Sequence, residues 1–264
     1  MTKLQQIALS AIISLGCQEI GWTIQECSPE MKEYIAYSSN IISRYQDAMV
    51  DEIEKNVDQS LQDIPPQAVF DYLFSDGFDL ECGIPDDLHI GIGVFFYHKD
   101  DNRGLIILSS PYFQQIYEQS VKPYEIFLNE DGTFNFEVAK NFIKNDTDLY
   151  DGEGFNKSYE ANFSSTSALA QLVDTLIHEA THGTWRRYGL SSHHRCKNHT
   201  CEEEAEQNND PFFQYGFKAS DVIRYKVSTE TSNKLNHMAF ENYMLQYYSE
   251  EELQNYYENH DEEK

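Results

Sequence analysis

The sequence predicts an α+β fold, a small mixed sheet packed among helices, in a chain of 264 residues. Three observations carry this. Apolar positions recur at helical spacing over residues 30–57 and again over 230–248. Between them, HIGIGVFFYH (89–98) and LIILSS (105–110) are β-branched and aromatic runs separated by the turn KDDNRG, the pattern of a hairpin with a longer loop. The stretch SSTSALAQLVDTLIHEATHGTWRRYG then presents Leu169, Leu172, Val173, Leu176, Ile177 and Ala180 as one broad apolar side, the clearest helix in the chain. With 40% apolar residues the chain can bury a core.

Taken in order, residues 1 to about 60 read as helical. MTKLQQIALSAIISLGC places Leu4, Ile7, Ala8, Ala11, Ile12 and Leu15 on one face of a helix. The same segment resembles a weak lipoprotein signal ending at Cys17, which keeps export open. Pro65 and Pro66 punctuate the chain, AVFDYLF (68–74) reads as a short helix, and GFDLECGIPDD as a turn-rich connection. After the hairpin come a short helix at FQQIYEQ, a strand candidate at YEIFL (124–128) and a helix from about Phe136 to Lys144. Residues 146–164 are polar and loop-like, so the strong helix is expected to start at an N-cap near Ser165 or Thr166 and to stop at Gly189. A polar loop, a short acidic helix at CEEEAEQNN, the 230–248 helix and its continuation SEEELQNYYEN complete the chain. The expected division is an N-terminal helical region, 1–66, and a main domain, 67–264, packed as one unit.

Charge narrows the partners. Asp and Glu number 45 against 19 Lys and Arg, a formal net charge of -26. Such a field repels nucleic acid and anionic lipid, so neither is expected as a partner. It fits either a well-hydrated surface or a basic substrate. No segment approaches the length of a membrane span. The five cysteines, Cys17, Cys27, Cys82, Cys196 and Cys201, are odd in number and loosely spaced, with only the last two close together. This suits a cytoplasmic protein or a secreted one with few disulfides.

The chemistry concentrates in DTLIHEATHGTW, which holds His178, Glu179 and His182 as H-E-x-x-H. Residues four apart share a helix face, so both imidazoles can address one metal ion. Glu179, one position on from His178, points past the ion and can act as general base toward bound water. Zn2+ is the cofactor this pattern calls for.

Over 170–190 the sequence resembles the zincin metallopeptidases. Trp185 and Tyr188 stand where the metzincin pattern needs Gly and a third His, so that branch does not fit. The gluzincin arrangement, in which a later helix beginning E-x-x-A supplies a glutamate, matches Glu202 with Ala205. The resemblance therefore implies a zincin-like fold with His178, His182 and Glu202 as metal ligands, Glu179 as catalytic base and Glu206 as a support to a ligand histidine. Asp210, Glu241 or a histidine of the loop HHRCKNHTC are alternative third ligands. That loop, with His193, His194, Cys196, His199 and Cys201, reads as a structural zinc site, a disulfide or an ordinary polar loop. Zincins hold substrate against an edge strand, here either the 89–110 hairpin or 159–163, and need an oxyanion donor, for which Tyr188, His193, His194 and Tyr215 are candidates. The implied activity is zinc-dependent hydrolysis of peptide bonds in a protein or peptide substrate, endopeptidase in character. The alternative is a metal-binding module with a regulatory or interaction role.

Overall fold

In a computed structural model, which describes residues 23–75, 78–83, 92–98, 103–194 and 204–260, the chain alternates short strands with helices before turning wholly helical. Strand β1 (Thr23–Gln25) leads into α1 (Pro29–Asn56) and α2 (Pro66–Leu73). Strands β2 (Phe78–Gly83), β3 (Gly93–His98) and β4 (Arg103–Ser109) follow, then α3 (Ser110–Ile116), which runs on through a π turn and a 3-10 turn to Phe127. Next come α4 (Phe136–Ile143), α5 (Glu153–Arg187), the short α6 (Glu204–Gln207) and α7 (Pro211–Asp221). A π turn at Val222–Val227 joins α7 to α8 (Ser228–Met244), and α9 (Glu250–His260) ends the described chain. The amphipathic and lipoprotein-like readings of the first 17 residues lie outside the described residues.

The sheet has the order β1-β2-β4-β3. β2 pairs parallel with both β1 and β4, whereas β3 returns antiparallel on β4 with Phe95 opposite Ile106. The helices carry most of the chain and the sheet is small and mixed, so the α+β expectation holds at that level. Among the described residues no helix is long and apolar enough to cross a membrane.

Three local expectations are corrected. The connection around 78–83 is a strand, β2: Leu80 and Cys82 are buried while Asp79 and Glu81 alternate with them. Those two acids and the flanking glycines disguised a period of two. YEIFL is not a strand, since Lys122–Phe127 is a 3-10 turn and only Leu128 makes a bridge, to Phe134. Pro123 lacks the N–H that a ladder needs. Finally, α5 begins twelve residues before Ser165, at Glu153. Phe155, Ser158, Ala161, Asn162 and Ser165 are buried at helical spacing, so the polar stretch is a helix face after all. Its hydroxyls are satisfied internally: Ser158 Oγ donates to Gly154 O, Ser165 Oγ to Ala161 O and Thr166 Oγ1 to Asn162 O. The start is capped from a distance by the Asp146 carboxylate, which accepts from the N–H groups of Gly154 and Phe155. Gly189, at φ 74°, ends the helix as expected, in the left-handed conformation that glycine takes without strain.

One core unites α1 with α5 and α7: Met31, Ile35 and Ile42 of α1 are packed in the same cluster as Leu172, Leu176 and Phe212. A smaller core gathers Phe155 and Ala161 of α5 with Phe127, Ile143, Leu235 and Ala239. Cys27 and Cys82 form a disulfide that ties the segment before α1 to β2. Their separation of 55 residues is why spacing did not reveal the pair.

Candidate metal centre

The two motif histidines project from the second half of α5. His182 Nδ1 lies 2.8 Å from the carbonyl oxygen of Ser192. A carbonyl only accepts, so Nδ1 carries the proton and Nε2 presents a lone pair. That Nε2 is 3.2 Å from His178 Nε2. The third member is His194, whose Nδ1 is 3.3 Å from Asp210 Oδ1, leaving its Nε2 as the free donor by the same argument. One ligand atom from each of His178, His182 and His194 lies within 4.8 Å of the others. Three imidazoles therefore lie close enough to bind one metal ion, and two of them are oriented through their other nitrogen.

Electrostatics favour the ligating form. Burial, with His182 and His194 adding to it, holds His178 well below the usual histidine range. Burial and the neighbouring His194 push His182 down to about 3. His178 and His182 are therefore neutral at ordinary pH, with lone pairs available.

Two elements outside α5 complete the walls. Gly189 turns the chain, the Leu190 N–H donates to Trp185 O, and residues 190–194 fold back to bring Ser192 and His194 over the helix. Helix α7 starts at the fully buried Asp210, whose Oδ1 accepts from the N–H groups of Phe212 and Phe213 while also facing His194. Asp210 thus caps one helix and orients one histidine. With Pro211 fixing the first turn, Phe212 stacks on His182 at 4.0 Å between centroids, and Phe213 stacks on His194 at 5.0 Å and meets His178 edge-on at 4.6 Å. Such close packing of α7 on α5 requires a glycine. A Cβ on Gly216 would fall 2.3 Å from Asp174 Oδ1 and 2.8 Å from Asp174 O.

Glu179 faces the sheet. It is buried, and the Phe95 backbone N–H donates to its carboxyl group. Burial raises its pKa to about 8, with the Phe95 bond opposing the rise. Among the described residues β3 is one edge of the sheet, and it lies directly against α5: a Cβ on Gly93 would stand 2.6 Å from Thr175 Cγ2 and 3.4 Å from Glu179 Oε1. The edge strand beside the motif is therefore the hairpin strand, and 159–163, the other candidate, is corrected to helix.

Of the residues expected from sequence, His178 and His182 come together with His194, while Glu179 on the same helix faces β3. Glu202 lies outside the described residues, as do Cys196, His199 and Cys201. Glu206 is on α6. Glu241 is paired with His237 at 3.2 Å on α8 and takes no part in the histidine cluster. Tyr215 is corrected as an oxyanion donor, because its fully buried hydroxyl donates to Ile64 O at 2.8 Å. Tyr188 is 59% exposed at the end of α5. Sequence reasoning did not reach Ser192, Phe95, Phe212 or Phe213. The one signal it passed over is D-P-F-F, an N-cap followed by proline at the first helical position. The chain matches no protein-family model, no curated protein and no solved structure.

Proposed function

We propose that the chain is a zinc-dependent peptidase of zincin-like design, with His178, His182 and His194 as the metal ligands and Glu179 as general base. The observation that carries this reading is the convergence of two imidazoles from α5 with one from the following loop, with a buried carboxyl group on the same helix. The donor set fits the ion: three imidazole nitrogens, two of their rings fixed by Ser192 O and Asp210, leave a position open for water or substrate. When bound, zinc supplies a Lewis acid that makes water acidic near neutral pH and polarises a carbonyl.

The chain's own residues do the rest. Glu179 takes a proton from water as the new C–O bond forms and returns it to the departing amide nitrogen as the C–N bond breaks. Its high pKa before metal binding reflects burial. With a cation held by the nearby histidines, Glu179 would be favoured in its carboxylate, basic form. The outer edge of β3 supplies backbone donors and acceptors, of which the Phe95 N–H is already turned toward Glu179, so an extended peptide can add as a further strand. Phe212 and Phe213 exclude water from the side of the histidines opposite the sheet and fix their ring planes.

The test is cleavage of a peptide library by the full chain, with and without Glu179→Gln. The reading expects cleavage by wild type and its loss in the variant, with bound zinc retained. Zinc bound by both proteins but no cleavage by either would leave only the metal-binding module.

A further inference from the structure

A second site lies upstream on α5. A cavity of about 400 Å³ opens between α1, the loop before α4, α5 and α8. Leu169, its nearest α5 residue to the motif, is nine positions before His178, roughly 13 Å along the helix at 1.5 Å per residue. The cavity is separate from the metal centre and is in the size range of small-molecule sites.

One side of its lining is apolar: Ile41, Leu169 and Ile223 are each at most 3% exposed, and Val227 and the Phe134 ring continue the wall, while Ser165, Thr166, Thr231 and Asn129 add hydroxyl and amide groups. Its rim is basic. Arg44 from α1 and Lys234 from α8 both line it, although the whole chain holds only 19 basic residues against 45 acidic ones. Neither cation is held by a close ion pair among the described residues. Arg44 meets Asp131 Oδ2 at 3.7 Å, while the other oxygen, Oδ1, accepts from the Thr133 N–H at 3.0 Å. Lys234 makes no ion pair among the described residues and rests 3.8 Å over the Phe136 ring, which holds its ammonium at the mouth. In a chain of net charge -26, Arg44 and Lys234 line this cavity from different helices and no acidic side chain among the described residues lines it, although Asp131 pairs with Arg44 and Glu230 lies near Tyr45.

We propose that this cavity binds a small amphipathic anion, an aliphatic chain ending in a carboxylate. The chain lies on Ile41, Leu169 and Ile223, and the carboxylate is held between Arg44 and Lys234. An uncharged chain of the same length keeps only the apolar contact. A cationic one is repelled at the rim. Binding here is independent of the peptidase reading, since no residue of the metal centre lines the cavity.

Calorimetric titration of the full chain with octanoate, 1-octanol and octylammonium tests this. Octanoate is expected to bind saturably, and the other two at least about tenfold more weakly, the size of one charge-assisted hydrogen bond. Arg44→Gln and Lys234→Gln, both at exposed side chains, should each weaken octanoate by a similar factor while thermal melts stay unchanged. Arg44→Lys should restore most of the affinity. Absence of saturable octanoate binding at millimolar concentration, equal binding of octanol, or indifference to both Gln variants would each overturn the proposal.

Discussion

The two halves of α5 are one continuous helix, yet they treat buried polar groups differently. In both halves hydroxyls close on the helix itself: Ser158, Ser165 and Thr166 upstream, Thr181 and Thr184 downstream, each donate to the carbonyl four residues back. Upstream, the remaining buried amide, Asn162, donates across to Ser228 O and Ser232 Oγ, joining α5 to α8. These are neutral groups in a structural role. Downstream, Asp174, His178, Glu179 and His182 are ionisable, and burial keeps each in its neutral form at or near neutral pH. Their surroundings come from a loop, a strand edge and α7 rather than from the helix. Polar groups satisfied within an element hold a fold together. Ionisable groups buried close to one another on a helix face are costly unless something else binds there.

The sharpest way to break the contrast is to neutralise one polar group in each half. Glu179→Gln should lower kcat by about a thousandfold, at the scale of a lost general base, with the melting temperature and metal content retained. Asn162→Ala should leave kcat alone and cost about 1–3 kcal/mol of stability, read in urea unfolding.

Asp174 gives the next effect. Burial lifts its pKa from 3.8 to about 7, with Arg224 opposing the rise. The folded state thus holds a proton that the unfolded state releases above about 3.8. Its contribution is intact below that pH and is lost as pH rises through about 7. Compared with Asp174→Asn, the wild type should lose up to about 4 kcal/mol between pH 4 and 8, at 1.36 kcal/mol per pKa unit. Parallel stability curves for the two proteins would contradict this.

Glycine substitutions sharpen the comparison further. Gly154→Ala in the upstream half puts a Cβ 2.0 Å from Phe142 O, and Gly216→Ala puts one 2.8 Å from Asp174 O. Both should destabilise by about 1–3 kcal/mol through overpacking, several degrees in Tm. Only Gly216→Ala should also weaken metal binding, because the His178 Cβ lies 3.4 Å from the added carbon. The smallest effect expected is from Asp210→Asn. Asparagine still caps α7, so stability should hold, while the weaker partner for His194 lowers metal affinity by about tenfold in a competition titration.

What was legible in the sequence was local. His178, Glu179 and His182 are fixed relative to one another by helix geometry, and the apolar face from Leu169 to Ala180 declares that helix without help. Gly189 marked its end. His194 was visible only as one of five ligand-type residues in a loop, because a loop has no period from which its direction can be read. Its choice depends on Asp210, sixteen residues further on. The upstream half of α5 was hidden because its buried face is made of Ser, Asn and Ala, whose burial depends on hydroxyl bonds that hydropathy does not register. β2 was hidden by acids on its alternate positions. The approach of β3 to Glu179 rests on Gly93, and a glycine in a strand says that something comes close without saying what.

The most direct test is the zinc content of the full chain, purified without added metal, beside His178→Ala, His182→Ala, His194→Ala and Glu202→Gln. The account predicts a single bound ion, lost in each histidine variant and kept in Glu202→Gln. A metal-free wild type, or a His194→Ala protein that keeps its zinc while Glu202→Gln loses it, would contradict it.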